Sequence, residues 1–341
     1  MGNVAIFVPH VGCPQQCSFC DQRAITGGAQ PPTPWQVWQT AQAAASHLGQ
    51  RVKDTEIAFF GGSFTAIPRG QMLSLLAPAK EAVERFGFRG LRCSTRPDAI
   101  DGEVLSLLKA HHMAAVELGA QSMDREVLRL NLRGHTPEDT ARAAGLIRAA
   151  GLELGLQMMT GLYGSTPEQD VETARALIAL KPDTARIYPT VVLEGTQLAT
   201  LYQQGRYKPQ SLEEAVELCA RLLPLFEEAG VRVIRVGLHA EKAVESRRVA
   251  GPYHSAFREL VESRRFLSRL LPELEELPPG AYEVRVCPRQ LSVATGQKRC
   301  NVEALARRGY AVRFVPDASL APGRFGVGPQ ETRNEKGKQA Q

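Results

Sequence analysis

The stretch Thr55-Glu56-Ile57-Ala58-Phe59-Phe60-Gly61-Gly62-Ser63-Phe64 decides the fold. It is a short β-rich run stopped by two glycines, and a helical pattern over residues 71–85 follows it. The same unit recurs on both sides. Residues 4–9, 90–95, 114–119, 152–158, 184–188 and 231–236 read as strands, alternating with helical runs over 34–48, 102–110, 137–150, 167–180 and 212–229. Thr33 followed by Pro34 marks the first helix start, an N-cap with proline at the first turn. Such alternation is the signature of βα units around a parallel sheet. Six or seven repeats fall short of a closed eight-stranded barrel. The expected fold class is therefore α/β: a partial (β/α) barrel of about six parallel strands over residues 1–240, followed by a small α+β C-terminal module.

Beyond the barrel, residues 241–276 read as a helical extension, and Leu277-Pro278-Pro279-Gly280 as a linker. Residues 281–318 then read as a basic βααβ module, with strands at 283–287 and 311–315 and helices at 289–295 and 301–308. The polar stretch 330–341 reads as a disordered tail.

Composition narrows the class. A chain of 341 residues, 43% hydrophobic and 23% charged, has the balance of a globular protein and is long enough for a substantial core. No apolar run approaches the roughly 18 residues of a membrane span, and no signal peptide opens the chain, so a cytoplasmic protein is expected. The net charge of +5 is unevenly placed: residues 1–239 carry −1 and residues 240–341 carry +6. Charge for an anionic partner is thus C-terminal, although a basic run is equally the mark of a solvated helix face.

In parallel barrels, chemistry collects where the βα loops converge, at the C-terminal ends of the strands. Three of the seven cysteines, Cys13, Cys17 and Cys20, crowd into the loop after the first strand. The spacing Cys-x-x-x-Cys-x-x-Cys can hold three corners of a [4Fe-4S] cluster and leave one iron without a cysteine. An iron so exposed can bind S-adenosyl-L-methionine through its amino and carboxylate groups and deliver the electron that cleaves it. Zinc is the alternative, with His10 as a fourth ligand three residues before Cys13. Cys93, Cys219, Cys287 and Cys300 read as buried small hydrophobes.

With Phe19 before its third cysteine and a partial barrel behind it, the loop resembles the radical S-adenosylmethionine superfamily. More specifically, Phe60-Gly61-Gly62-Ser63-Phe64, Ser94-Thr95-Arg96-Pro97-Asp98, Val116-Glu117-Leu118-Gly119-Ala120-Gln121-Ser122, Arg133-Gly134-His135-Thr136, Arg186-Ile187-Tyr188-Pro189-Thr190 and Gly205-Arg206-Tyr207-Lys208 resemble the radical domain of the Elongator catalytic subunit. They run in family order over about residues 4–240. The resemblance implies that Gly61 and Gly62 let the backbone approach the methionine moiety. It makes Phe19, Ser63, Ser94, Arg96, Glu117, Gln121 and Arg133 the candidate cofactor contacts, with Ser63 standing where many superfamily members have an acid. For Glu117 and Arg96 a structural ion pair bracing neighbouring strands is the competing expectation.

His239 and Tyr188, near strand ends, are the candidate catalytic side chains. Elongator catalytic subunits also carry an acetyltransferase-like domain. The roughly 100 residues after Ala240 are too few for it, so acetyl transfer is not expected here. Gly296-Gln297-Lys298-Arg299 resembles the loop of a KH-type RNA-binding unit, with Arg299 in place of the second glycine. Arg289, Lys298, Arg299, Arg307 and Arg308 are the candidate RNA contacts. The expected function is reductive cleavage of S-adenosyl-L-methionine, with a low-potential electron donor, to modify a nucleoside in tRNA or other RNA. A radical enzyme acting on a small molecule, or a non-catalytic nucleic-acid-binding protein with a structural metal, are the alternatives.

Overall fold

The computed structural model describes residues 2–8, 13, 16–20, 30–238 and 242–330, which divide into two compact units. The first comprises residues 1–218 and 222–255. Its frame is a sheet of seven strands, one at each of the seven runs read as strands. These are β1 (Gly2–Val8), β2 (Thr55–Gly61), β3 (Gly90–Thr95), β4 (Met113–Gln121), β5 (Glu153–Thr160), β6 (Thr184–Pro189) and, after the two-residue β7 (Val192–Leu193), β8 (Arg232–Val236). The order is β1-β2-β3-β4-β5-β6-β8, and every neighbouring pair is parallel. β1 and β8 are its two edges.

Local sequence dictates where the intervening helices start. Thr33, Thr136, Thr166 and Ser211 each close a capping box on the third residue of the helix that follows, and Pro34, Pro137 and Pro167 occupy the first turn. Each cap is worth about 1 kcal/mol. Apolar residues of the helices Arg69–Phe86 (Met72, Leu75, Leu76) and Gly102–Ala110 (Leu105, Leu108) are buried, as are Ile57, Phe59 and Leu91 of the sheet. Phe59 and Phe64 stack with ring centroids 4.4 Å apart. The strands' other face carries much of the chemistry.

Two short helices, Arg125–Leu130 and Gln197–Gln203, escape the sequence reading because six or seven residues are too few to show a period. β9 (Arg248–Ala250) pairs antiparallel with β7.

The second unit comprises residues 219–221 and 256–341. Its helix Phe257–Glu275 buries Phe266, Leu270 and Leu274 with Val284, Val286, Leu305 and Tyr310 in one core. That helix, read from sequence as part of an extension, is a wall of this unit. β10 (Gly280–Val286) pairs parallel with β11 (Tyr310–Pro316), across the short helices Leu291–Thr295 and Cys300–Ala306. β12 (Phe325–Pro329) joins antiparallel, so the module is βααββ and runs beyond residue 318. Three glycine or proline positions in five residues hid β12. Residues 331–341, expected as a tail, lie outside the described residues. Among the described residues, no helix is long and apolar enough to cross a membrane.

Candidate functional site

A buried asparagine is the main anchor of the cysteine loop at Ser18. Asn131 is 0% exposed; its carbonyl accepts the Ser18 N–H at 3.1 Å, and its Oδ1 accepts the Ser18 hydroxyl at 2.8 Å. Its Nδ2 donates to the carbonyls of Val127 and Tyr163, each at 2.8 Å. The Leu198 N–H in turn donates to the Ser18 carbonyl at 2.8 Å. Loops following β4, β5 and β6 therefore converge on the residue between Cys17 and Phe19. Cys17 is buried, while Cys13 and Cys20 are half-buried. Phe19 packs on the apolar group of Val192, Leu198, Leu201 and Tyr207.

All three thiols line one cavity of about 1490 Å³, at the strand ends where βα loops meet. Phe19, Gly61, Gly62, Ser63, Ser94, Arg96, Gln121, Arg133 and Tyr188 line it too. Glu117 does not. Cys13 Sγ lies 3.4 Å from Ser63 Oγ, and Arg133 Nη1 donates to Cys17 Sγ at 3.1 Å. Arg133 Nη2 donates to the Gly119 carbonyl at 2.5 Å. A Cβ at Gly119 would stand 2.9 Å from Gln121 Nε2, so a side chain there would displace the Gln121 amide. The β4–β5 register shifts here, and Gln121 sits at φ +66°. That left-handed backbone costs a non-glycine residue about 1–2 kcal/mol, a cost met at sites where a side chain must be aimed.

Three polar atoms on this wall are buried and have no partner among the described residues: Arg96 Nη1, Gln121 Oε1 and Arg133 Nε. A buried polar group left so costs about 1–3 kcal/mol, and a ligand with both acceptor and donor groups relieves it. Arg96 forks onto Asp98 at 2.9 and 2.8 Å. Burial opposes its charge, but the Asp98 fork, and then the negative charge that Cys17 and Cys13 carry as thiolates, hold the guanidinium above its ordinary pKa. These donors and acceptors fit a zwitterionic, hydroxyl-bearing cofactor beside an iron–sulfur cluster, and an N–H donated to a ligating sulfur is a recognised way to tune such a cluster.

Deeper in the barrel the strands carry alternating charges. Glu56 accepts from Arg92 and Arg89, both at 2.6 Å. Arg92 reaches Glu117 and Glu153, both at 3.2 Å. Glu117 also takes Arg186 Nη2 at 2.9 Å and Gln157 Nε2 at 3.0 Å; Arg186 Nε lies 2.8 Å from its second oxygen, an ionic contact rather than an aligned hydrogen bond. Gly155 makes room, since a Cβ there would stand 2.7 Å from Glu117 Cγ. Glu117 and Arg96 are thus both in ion pairs, with other partners than each other. Arg186 Nη1 also donates to the Tyr188 hydroxyl at 3.4 Å, and burial raises the pKa of that phenol.

Tyr188 therefore joins the cavity, whereas His239 and His10 lie outside the described residues. Sequence reading missed Glu56, Arg92 and Glu153. The signal was there: a charged residue in each of several otherwise apolar strands. Cys93, Cys219 and Cys287 are buried as read, but Cys300 is exposed, because the short helix it opens turns Asn301 and Leu305 inward instead. In the second unit Arg289, Lys298, Arg299, Arg307 and Arg308 are exposed, and Lys298 and Arg299 adopt φ of 51° and 64° in the loop between the two helices.

Comparison with known proteins matches residues 7–177 to the model of the Radical SAM superfamily and residues 182–266 to that of the Radical_SAM C-terminal domain. The tRNA uridine(34) acetyltransferase of Methanocaldococcus jannaschii is 37% identical over 50% of this chain and 35% of its own length. That of Dehalococcoides mccartyi is 28% identical over 76% and 64%. Human Elongator complex protein 3 is 30% identical over 64% and 43%. The chain thus spans roughly a third to two thirds of the length of these curated relatives. Among solved structures, the archaeal Elp3 of Methanocaldococcus infernus with an N-terminal deletion superposes with TM-score 0.61 over 81% of this chain and 62% of that one. At 23% identity that likeness speaks for the fold alone.

Proposed function

The chain belongs to the Radical SAM superfamily, and from that premise we propose that it modifies a nucleoside in RNA, most simply in tRNA, at a site built on Cys13, Cys17 and Cys20. Family membership implies a [4Fe-4S] cluster and S-adenosyl-L-methionine. When bound, these supply a 5′-deoxyadenosyl radical by one-electron reductive cleavage. The observation that carries the reading is the meeting of three thiols and three unpartnered buried polar atoms on one cavity wall.

In this reading each residue has a definite task. Arg96 Nη1 and Arg133 Nε offer donors to a carboxylate, and Gln121 Oε1 offers an acceptor to an amine or a hydroxyl. Gly61 and Gly62 keep the strand end low enough for backbone groups to contact the cofactor. Ser63 and Arg133 hold the thiols of Cys13 and Cys17. Phe19 excludes water. Tyr188, oriented by Arg186, presents a phenol O–H to whatever occupies the centre of the cavity. The exposed basic loop residues Lys298 and Arg299, with Arg289, Arg307 and Arg308, dock the RNA backbone. A low-potential electron donor and a cytoplasmic setting complete the reading. The tRNA assignment leans on the printed names of the relatives.

Nucleoside masses of total tRNA from cells with and without this gene test it. One modified nucleoside should vanish without the gene and return with the parent chain but not with Cys17→Ala. Identical profiles in all strains would overturn the RNA reading.

A further inference from the structure

The cavity is larger than its cofactor end. It continues across the sheet to the edge strands β1 and β8, and there its lining changes character. Among the described lining residues none is aspartate or glutamate, whereas seven are arginine. Arg92, Arg186, Arg96 and Arg133 belong to the networks above. Arg232 and Arg235 come from β8, and Arg247 from the helix Lys242–Arg247.

How two arginines three residues apart share a face is the informative detail. In a regular strand, positions i and i+3 point to opposite sides. The pairing of β8 with β6 slips by one residue: Arg232 faces Thr184, and Arg235 faces Arg186. Thr184 and Arg186 are two apart on β6 and both line the cavity. The extra residue at Ile234 is a bulge, which returns Arg235 to the side of Arg232 while Val233 and Val236 stay buried. Both arginines line the cavity, as do Val233 and Ile234 between them.

The opposite edge is aromatic. Phe7 on β1 and Phe60 on β2 are register partners, and both line the cavity. Phe7 is 38% exposed, a large apolar side chain open to solvent inside a concave site. Arg186 lies over the Phe60 ring at 5.2 Å, which already shows that ring taking a flat cationic partner.

We propose that the open side of the half barrel is a nucleotide subsite: Phe7 and Phe60 stack a base, while Arg232 and Arg235 hold the phosphates that flank it. Aromatic faces beside a cationic track are the recognition chemistry of single-stranded nucleic acid. The inference rests on the RNA reading above for its substrate class. The shared chemistry is a phosphorylated aromatic base, which an RNA strand and a free nucleotide both present.

The test uses the full, cluster-reconstituted chain and measures binding of a short single-stranded RNA, and separately of nucleoside monophosphates, over a salt series. Arg232→Glu with Arg235→Glu should weaken RNA binding roughly 30-fold. Losing two phosphate contacts should also flatten the slope of log affinity against log salt by about 1.4. Arg232→Lys with Arg235→Lys should restore most of both, and Phe7→Ala should weaken binding with the salt slope kept. Arg148→Glu with Arg175→Glu, exposed on the helices Pro137–Ala149 and Pro167–Ala179, matches the change in net charge and should bind as the parent does. A double variant that binds like this control would overturn the subsite and leave the RNA reading standing. Monophosphate binding with the same losses, and no RNA binding, would uphold the pocket and overturn RNA as its substrate. A parent chain that binds neither probe would overturn both.

Discussion

Two groups of buried polar side chains in the barrel differ in how their hydrogen bonds end. Under the barrel, Glu56, Arg92, Glu117, Glu153 and Arg186 form a network in which every charge has a counter-charge at hand. Arg186 Nε there lacks an aligned hydrogen bond but stands 2.8 Å from a Glu117 oxygen; beside the thiols, Arg96, Gln121 and Arg133 each keep one atom with no partner of either kind among the described residues. The first region is closed upon itself and braces five neighbouring strands, β2 to β6. The second is poised for something from outside. Burial of a charge therefore says little about function, whereas an unfinished hydrogen-bond set in a cavity says much.

The comparison is broken most severely from the closed side. Glu117→Gln leaves Arg92 and Arg186 facing a neutral amide, and removing one member of a buried ionic set costs about 3–5 kcal/mol. Denaturant midpoints should fall accordingly; an unchanged midpoint would make the network ornamental. From the open side, Arg96→Met should weaken S-adenosyl-L-methionine binding roughly 10–100-fold, with a smaller midpoint shift than Glu117→Gln. Equilibrium titration of the two variants separates them, and equal losses of affinity would erase the distinction drawn here.

The smallest effect is a pH dependence. Burial, and then the Arg133 charge, push the His135 pKa down to about 4. Its neutral ring is the folded form, so stability is complete above the unfolded pKa and declines as pH falls toward about 4. The parent's advantage over His135→Gln should shrink by about 1 kcal/mol between about pH 7 and pH 5.5. Asp170, raised by burial to about 6, slopes the other way and is common to both proteins, so the difference between them isolates the histidine. A constant difference would place the ring in a wetter setting.

Legibility in the sequence followed the range of the physics. The helix Pro34–Leu48 was readable to the residue, because Thr33 and Pro34 act locally. The cysteine triad and the glycines after β2 were readable because their spacing is itself the chemistry. Arg92 was not, since a charge within a β-rich run reveals neither its face nor its partners. The position of Arg235 opposite Arg186 depends on a bulge set by pairing with β6, which no single strand's pattern encodes. Gln121 was found by resemblance, but its positive φ and its unpartnered oxygen emerge only where β4 and β5 slip.

The most direct trial of the central claim is electron paramagnetic resonance of the anaerobically reconstituted, dithionite-reduced protein before and after S-adenosyl-L-methionine is added. The account predicts a cluster signal whose g-values shift on addition in the parent, with Arg96→Met requiring more cofactor for the same shift. A parent spectrum that stays the same at saturating cofactor would contradict it.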